Sequence, residues 1–181
     1  PDFIARHDKG RFWNEMEAKE IVSKLGNEAV VIDMRKEERR DKPPSPFNTT
    51  EFLRAATAIG FSAANAMRIA EWLYMNGYIS YPRTDNTVFP ELDFRGLIGM
   101  FLRTEFSPYA SELLKRERFV PTKGKKFATD HPPIYPAAAA DKESMTKEQY
   151  RIYELVVRRF FANFAEPSIW ERKKVELKIG E

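Results

Sequence analysis

The sequence predicts an α+β chain in which a mostly helical middle is inserted between strands. Three observations carry this. Segments of strand composition lie towards both ends, at 29–34 and 170–179. Between them, apolar residues recur at helical spacings of three and four. Capping residues and stop glycines punctuate that middle at short intervals. The 181 residues suit one domain or two small ones sharing a core. A chain 43% hydrophobic, 31% charged and 13% aromatic has a globular balance and excludes wholesale disorder.

The elements follow in order. Lys9-Gly10 reads as a turn. Asn14 precedes a helix over 15–25, with Ala18, Ile21 and Leu25 on one face and Gly26 as its stop. Residues 29–34 read as a strand, prolonged by a charged run to Asp41. Lys42-Pro43-Pro44-Ser45-Pro46 is a stiff connector and the expected boundary. Asn48 with Glu51 resembles a capping box opening a helix over 50–59, which Gly60 ends. Ser62 caps a second helix over 63–76, with Ala66, Ile69, Ala70, Leu73 and Tyr74 along one face and Gly77 as its stop. Two such helices joined by Gly-Phe-Ser fit either plain packing or a helix-turn-helix. Further helices are expected over 91–104 and 108–116, then a loop over 117–136. Thr146 and Gln149 form a capping box before a long helix with Ile152, Leu155, Val156, Phe160 and Phe164 inward. Pro167 ends it. Val175, Leu177 and Ile179 then alternate on one side of a half-buried strand.

Composition excludes several function classes. Without cysteine there is no thiol nucleophile, disulfide scaffold or Cys-type zinc site. His7 and His131 are the only histidines, so a His-rich metal site is excluded. No apolar run approaches the roughly 20 residues that span a bilayer. No Walker-type loop and no Asp-x-Asp-x-Glu cluster is present. The net charge of +3 and pI of about 9.1 are mildly basic. That charge is unevenly spread: residues 1–46 hold ten basic and ten acidic residues, whereas 115–126 hold six basic residues and one acid. The second stretch, with Lys123, Lys125 and Lys126, fits a solvated face or a nucleic-acid backbone contact. Pro1 is an unusual natural start, which suggests a segment of a longer protein.

The sharpest chemical signal is Tyr81-Pro82-Arg83. A residue before proline is extended, and residues two apart on an extended segment point the same way. Tyr81 and Arg83 should therefore project together. A phenol is a weak nucleophile at neutral pH, a nearby cation favours its phenolate, and a guanidinium holds phosphate bidentately. Attack of Tyr81 on a phosphodiester, with Arg83 neutralising the developing charge, fits this pair. So does a packed tyrosine beside a surface arginine. His131, followed by two prolines, must sit on a non-helical loop. There it could donate to a phosphate oxygen or move a proton, or be satisfied by packing.

Gly77-Tyr78-Ile79-Ser80-Tyr81-Pro82-Arg83-Thr84-Asp85 resembles the active-site tyrosine motif of type IA DNA topoisomerases. Other segments resemble the family in its order: Gly10-Arg11-Phe12-Trp13, Pro46-Phe47-Asn48-Thr49-Thr50 with Leu53, Ala128-Thr129-Asp130-His131-Pro132-Pro133-Ile134-Tyr135-Pro136, and Arg158-Arg159-Phe160-Phe161. The His-Pro-Pro form is similar to archaeal topoisomerase I and topoisomerase III-like members. The resemblance implies a helical, winged-helix-like tyrosine domain (47–166) inserted in an antiparallel β arch, or gate, contributed by 1–46 and 167–181. It implies that Tyr81 attacks one strand and becomes linked to the 5′-phosphate. Arg83 would contact the scissile phosphate, and His131 would position or protonate around it. It implies single-stranded DNA as partner, no ATP, and no cofactor in this segment. Mg²⁺ would be held by a Toprim domain absent from it, with a second helical domain as the other partner. It places the enzyme on the chromosome, in the cytoplasm. The family position after Leu53 is often Gln; here it is Arg54, and no DNA contact is carried onto it. The alternative is a non-catalytic winged-helix or helix-turn-helix module that binds DNA. A tyrosine recombinase or type IB enzyme fits poorly, because its tyrosine comes late, after separated Arg, Lys and His residues.

Overall fold

A computed structural model describes residues 4–128 and 130–180, so Pro1 and Thr129 fall outside the described residues. The chain divides into two units, one made of the residues up to Asp41 with those from Ile169 onward, the other of Lys42–Ser168.

In the first unit, α1 (Glu15–Ser23) starts where the Asn14 side chain accepts from the Met16 amide at 2.9 Å. It ends before Gly26, not at it. The Lys24 and Leu25 amides turn back onto the Ile21 and Val22 carbonyls and satisfy the last turn. β1 (Ala29–Asp41) and β2 (Ser168–Ile179) form a two-stranded antiparallel sheet. The charged run to Asp41 is part of β1. Side chains two apart share a face of a strand, and Arg35–Asp33, Arg39–Asp41 and Arg40–Glu38 pair in that way at 2.7–2.8 Å. On β2, Leu177 and Ile179 are partly covered, whereas Val175 is exposed, so the expected half-buried face extends over the end of the strand only.

The second unit holds the hydrophobic core. α2 (Thr49–Ala58) and α3 (Ala63–Met75) both pack on α6 (Lys147–Ala162). Phe52, Leu73, Ile152, Val156 and Phe160 are almost fully buried among them. Asn48 caps α2 by accepting from the Glu51 amide at 2.9 Å, while the reciprocal capping box forms at Thr146 and Gln149. Gly60 and Gly77 take φ of +96° and +76°, left-handed geometry that suits glycine, and so end α2 and α3. α6 buries Tyr150, Tyr153, Val157 and Phe161 in addition to the expected positions, while Leu155 is only partly covered.

The single helix expected over 91–104 is shorter and composite. Asp93 caps it by accepting from the Gly96 amide at 2.9 Å, which leaves Glu91 and Leu92 outside. α4 (Phe94–Gly99) then tightens into a 3₁₀ turn, Met100–Arg103. Gly96 and Gly99 weaken regular helix there, and 3₁₀ turns commonly finish such ends. α5 (Ser107–Leu114) follows. The entry segment is locked by Arg159 of α6, which stacks 4.0 Å over the Phe47 ring and donates to the Ser45 carbonyl. Burial lowers the pKa of Arg159 from its ordinary value.

Candidate active site

The backbone around Tyr81 is set by partners from two directions. From one side comes the His131 segment. Ile79 bridges Pro136, the Ser80 amide donates to the Tyr135 carbonyl at 2.9 Å, and the Ser80 hydroxyl donates to the Pro133 carbonyl at 2.9 Å. From the other comes Thr49, the first residue of α2. Its hydroxyl donates to the Pro82 carbonyl at 2.8 Å and accepts from the Thr84 amide at 2.9 Å, while its own amide donates to the Thr84 carbonyl. The peptide units on both sides of Arg83 are thus held. Pro82 and Thr84 are buried, Tyr81 is half-buried and Arg83 is exposed, which is the alternation an extended segment imposes.

The two sequence-predicted segments meet. The rings of Tyr81 and His131 lie 4.7 Å apart between centroids, tilted by 55°. Below them the contact is made of backbone and buried polar side chains. The Thr84 hydroxyl donates to the His131 carbonyl at 3.2 Å. The Asn86 amide group donates to the same carbonyl at 3.2 Å and to that of Ala128 at 2.8 Å. Asn86 is only 3% exposed and its oxygen accepts from the Val88 amide, so both of its polar atoms are paired in this buried tie.

α3 supplies the other flank. The Tyr74 ring meets that of Tyr81 edge-on at 5.1 Å. The helical pattern puts Tyr74 on the buried face of α3, but it is 41% exposed and packs on the motif tyrosine instead. Glu71, one turn earlier, accepts from Nε and Nη2 of Arg83 at 3.0 and 2.5 Å. This carboxylate raises the Arg83 pKa from its ordinary value, chiefly through the hydrogen bonds, with a smaller contribution from Tyr81.

The basic loop is docked on the same segment. Thr87 and Lys126 exchange backbone and side-chain hydrogen bonds, and the Gly124 amide donates to the Thr87 carbonyl at 2.9 Å. Lys126 comes within 4.0 Å of Asp85. Lys123 and Lys125 are exposed on that loop. Arg54 pairs with Glu51 at 3.3 Å.

Among the described residues no group of three or more His, Asp or Glu could hold a metal ion. Glu71 and Asp85 already face Arg83 and Lys126. The donor set around Tyr81 therefore does not fit a resident divalent cation. Among the described residues no helix is long and apolar enough to cross a membrane.

Comparison with known proteins places the chain in a family. The family model for DNA topoisomerase matches residues 2–181. DNA topoisomerase 1 of Archaeoglobus fulgidus is 43% identical over 175 residues, covering 97% of this chain and 26% of the relative. DNA topoisomerase 1 of Pyrococcus horikoshii is 35% identical, covering 98% and 27%. Mouse DNA topoisomerase 3-beta-1 is 35% identical, covering 88% and 19%. The structure of full-length topoisomerase I from Thermotoga maritima has the same fold, with a TM-score of 0.64 at 23% identity, over 96% of this chain and 29% of that one. The chain belongs to the DNA topoisomerase family, in its type IA class. It spans about a quarter of the length of the two archaeal relatives.

Proposed function

We propose that this chain is the tyrosine-bearing segment of an enzyme that cuts and reseals one DNA strand without ATP. The observation that supports this most is the contact between the Tyr81 and His131 rings, on segments tied together by Ser80, Thr84 and Asn86. Tyr81 Oη gives up its proton and bonds to the phosphorus. The bond from phosphorus to the 3′ oxygen breaks, and that oxygen leaves as a hydroxyl after taking a proton. The 5′-phosphotyrosine keeps the energy of the original ester, so attack by the 3′-hydroxyl reseals the strand. Of the five N–H donors of Arg83, Nε and Nη2 each give one to Glu71, which leaves three for a phosphate oxygen. His131 is exposed beside Tyr81, where an imidazole can position the phosphate or move a proton at the reacting oxygens. Lys123, Lys125 and Lys126 follow the strand's phosphates.

The helical unit serves as the winged-helix-like tyrosine domain, and β1 and β2 belong to the antiparallel arch of a gate. Mg²⁺ and the remainder of the single-strand groove come from the Toprim and second helical domains of the longer enzyme, which acts on the chromosome in the cytoplasm. In that enzyme, Tyr81→Phe abolishes covalent adducts on single-stranded oligonucleotides while binding persists. Adducts formed by the variant overturn the reading. The 181-residue chain alone does not relax a supercoiled plasmid with Mg²⁺, and efficient relaxation would contradict this segment role.

The α2–α3 pair, joined by a short turn, favours a second reading, a non-catalytic helix-turn-helix module. That module would bind duplex DNA with steep salt dependence and be indifferent to Tyr81. Preference for single strands favours the first reading.

A further inference from the structure

We infer that Glu71 is a positioning residue for strand cleavage, acting through Arg83. This deepens the strand-cleavage reading and rests on it. α3 buries Ala66, Ile69, Ala70 and Leu73; outside that buried set lie Glu71 and Tyr74, three residues apart and so neighbours on the helix surface. Tyr74 meets the Tyr81 ring and Glu71 holds the Arg83 guanidinium, so one helix contacts both members of the Tyr-x-Arg pair. A single oxygen of Glu71, Oε1, receives both Nε and Nη2. Using Nε as well as a terminal nitrogen fixes the tilt of the guanidinium plane.

An arginine side chain that is 60% exposed otherwise samples many rotamers, and ordering it on the scissile phosphate as the strand is attacked adds to the barrier of that step. Here the backbone on both sides is already held by Thr49, so the side chain is the remaining freedom, and Glu71 removes it. An exposed ion pair of this kind adds little to stability. Its consequence is therefore local: a preset donor fork with Nη1 free. The same carboxylate could instead compete with phosphate for Arg83. The free Nη1 favours orientation over competition, and the two make opposite predictions for rate.

The test uses the full-length enzyme and a 3′-labelled single-stranded oligonucleotide, whose label stays on the fragment joined to the protein, with the rate of covalent-adduct formation and the affinity measured separately. Glu71→Ala slows adduct formation on the order of tenfold, as a misplaced catalytic contact does, with little change in affinity. In an Arg83→Ala background the same substitution has no further effect. Glu71→Gln keeps an acceptor oxygen at the same reach and stays faster than Glu71→Asp, which keeps the charge but is shorter. A Glu71→Ala enzyme as fast as wild type or faster, an undiminished effect in the Arg83→Ala background, or Asp outperforming Gln overturns the inference. Thermal unfolding of each variant identifies any that does not fold, and the Gln–Asp order then decides. Adducts in a parallel Tyr81→Phe enzyme would overturn the strand-cleavage reading itself, an outcome distinct from these.

Discussion

Asn86→Ala should both loosen the fold and misplace His131. The side chain is buried at 3% exposure and makes three hydrogen bonds: to the Ala128 carbonyl at 2.8 Å, to the His131 carbonyl at 3.2 Å, and from the Val88 amide at 2.9 Å. The His131 carbonyl keeps the Thr84 hydroxyl, whereas the other two groups lose this partner. Two hydrogen bonds at about 1 kcal/mol each, with a desolvation penalty for groups left unpaired, give a loss of about 2–4 kcal/mol. For a unit of this size that lowers the melting temperature by roughly 8–16 °C. The assay is urea unfolding of the 181-residue chain, with Asn76→Ala as control. The Asn76 amide donates to the Trp72 carbonyl at an exposed helix end, so its loss should stay within about 0.5 kcal/mol. In the full-length enzyme, Asn86→Ala should slow adduct formation more than it weakens DNA binding. If Asn86→Ala unfolds at the wild-type urea midpoint and forms adducts at the wild-type rate, the tie between the two segments is not what holds the site.

Three further outcomes follow from the same geometry. A Cβ at Gly124 would run into Thr87 Oγ1 and Cβ, well inside van der Waals separation, so Gly124→Ala should cost about 1–3 kcal/mol, whereas Gly99→Ala, open on all sides in α4, should be neutral or stabilising in the same urea titration. Replacing Lys123, Lys125 and Lys126 with alanine should lower the slope of log affinity against log salt for single-stranded DNA by about 0.7 for each phosphate these lysines neutralise, measured by fluorescence anisotropy. The Tyr153 hydroxyl is buried, and desolvation raises its pKa above the ordinary value, outweighing the opposing hydrogen bond from the Ala140 amide. Its contribution to stability is therefore complete below the unfolded-state pKa near 10 and is lost as pH rises beyond it, by up to about 1.4 kcal/mol per pH unit. Unfolding at about pH 9 and about pH 11, on either side of that pKa, should show the fall, and Tyr153→Phe should reduce it.

Residue patterns carry the helical elements well because local signals agree there. Asn14, Asn48, Ser62 and Thr146 each accept from an amide two or three residues on, as their positions before apolar runs suggest. Where local signals conflict, the reading fails. Gly26 reads as a stop, but the amides before it close α1 earlier, and Gly96 and Gly99 divide a run whose apolar pattern suggests one helix. Tyr81, Arg83 and His131 are legible as residues with chemistry, and the extended Tyr-Pro-Arg geometry follows from proline. Their supports are not legible. Glu71 and Tyr74 carry no motif, and only their spacing of three on α3 hints at a shared role. Thr49, Thr84 and Asn86 act through backbone carbonyls about 35 to 47 residues away, pairings that no local pattern encodes.

The most direct test of the central claim is to trap the full-length enzyme on a single-stranded oligonucleotide, digest it, and map the nucleotide-bearing peptide by mass spectrometry. The account predicts that the peptide contains Tyr81, with the DNA joined through its 5′-phosphate to the phenolic oxygen. An adduct on another residue, or one joined through a 3′-phosphate, would contradict it.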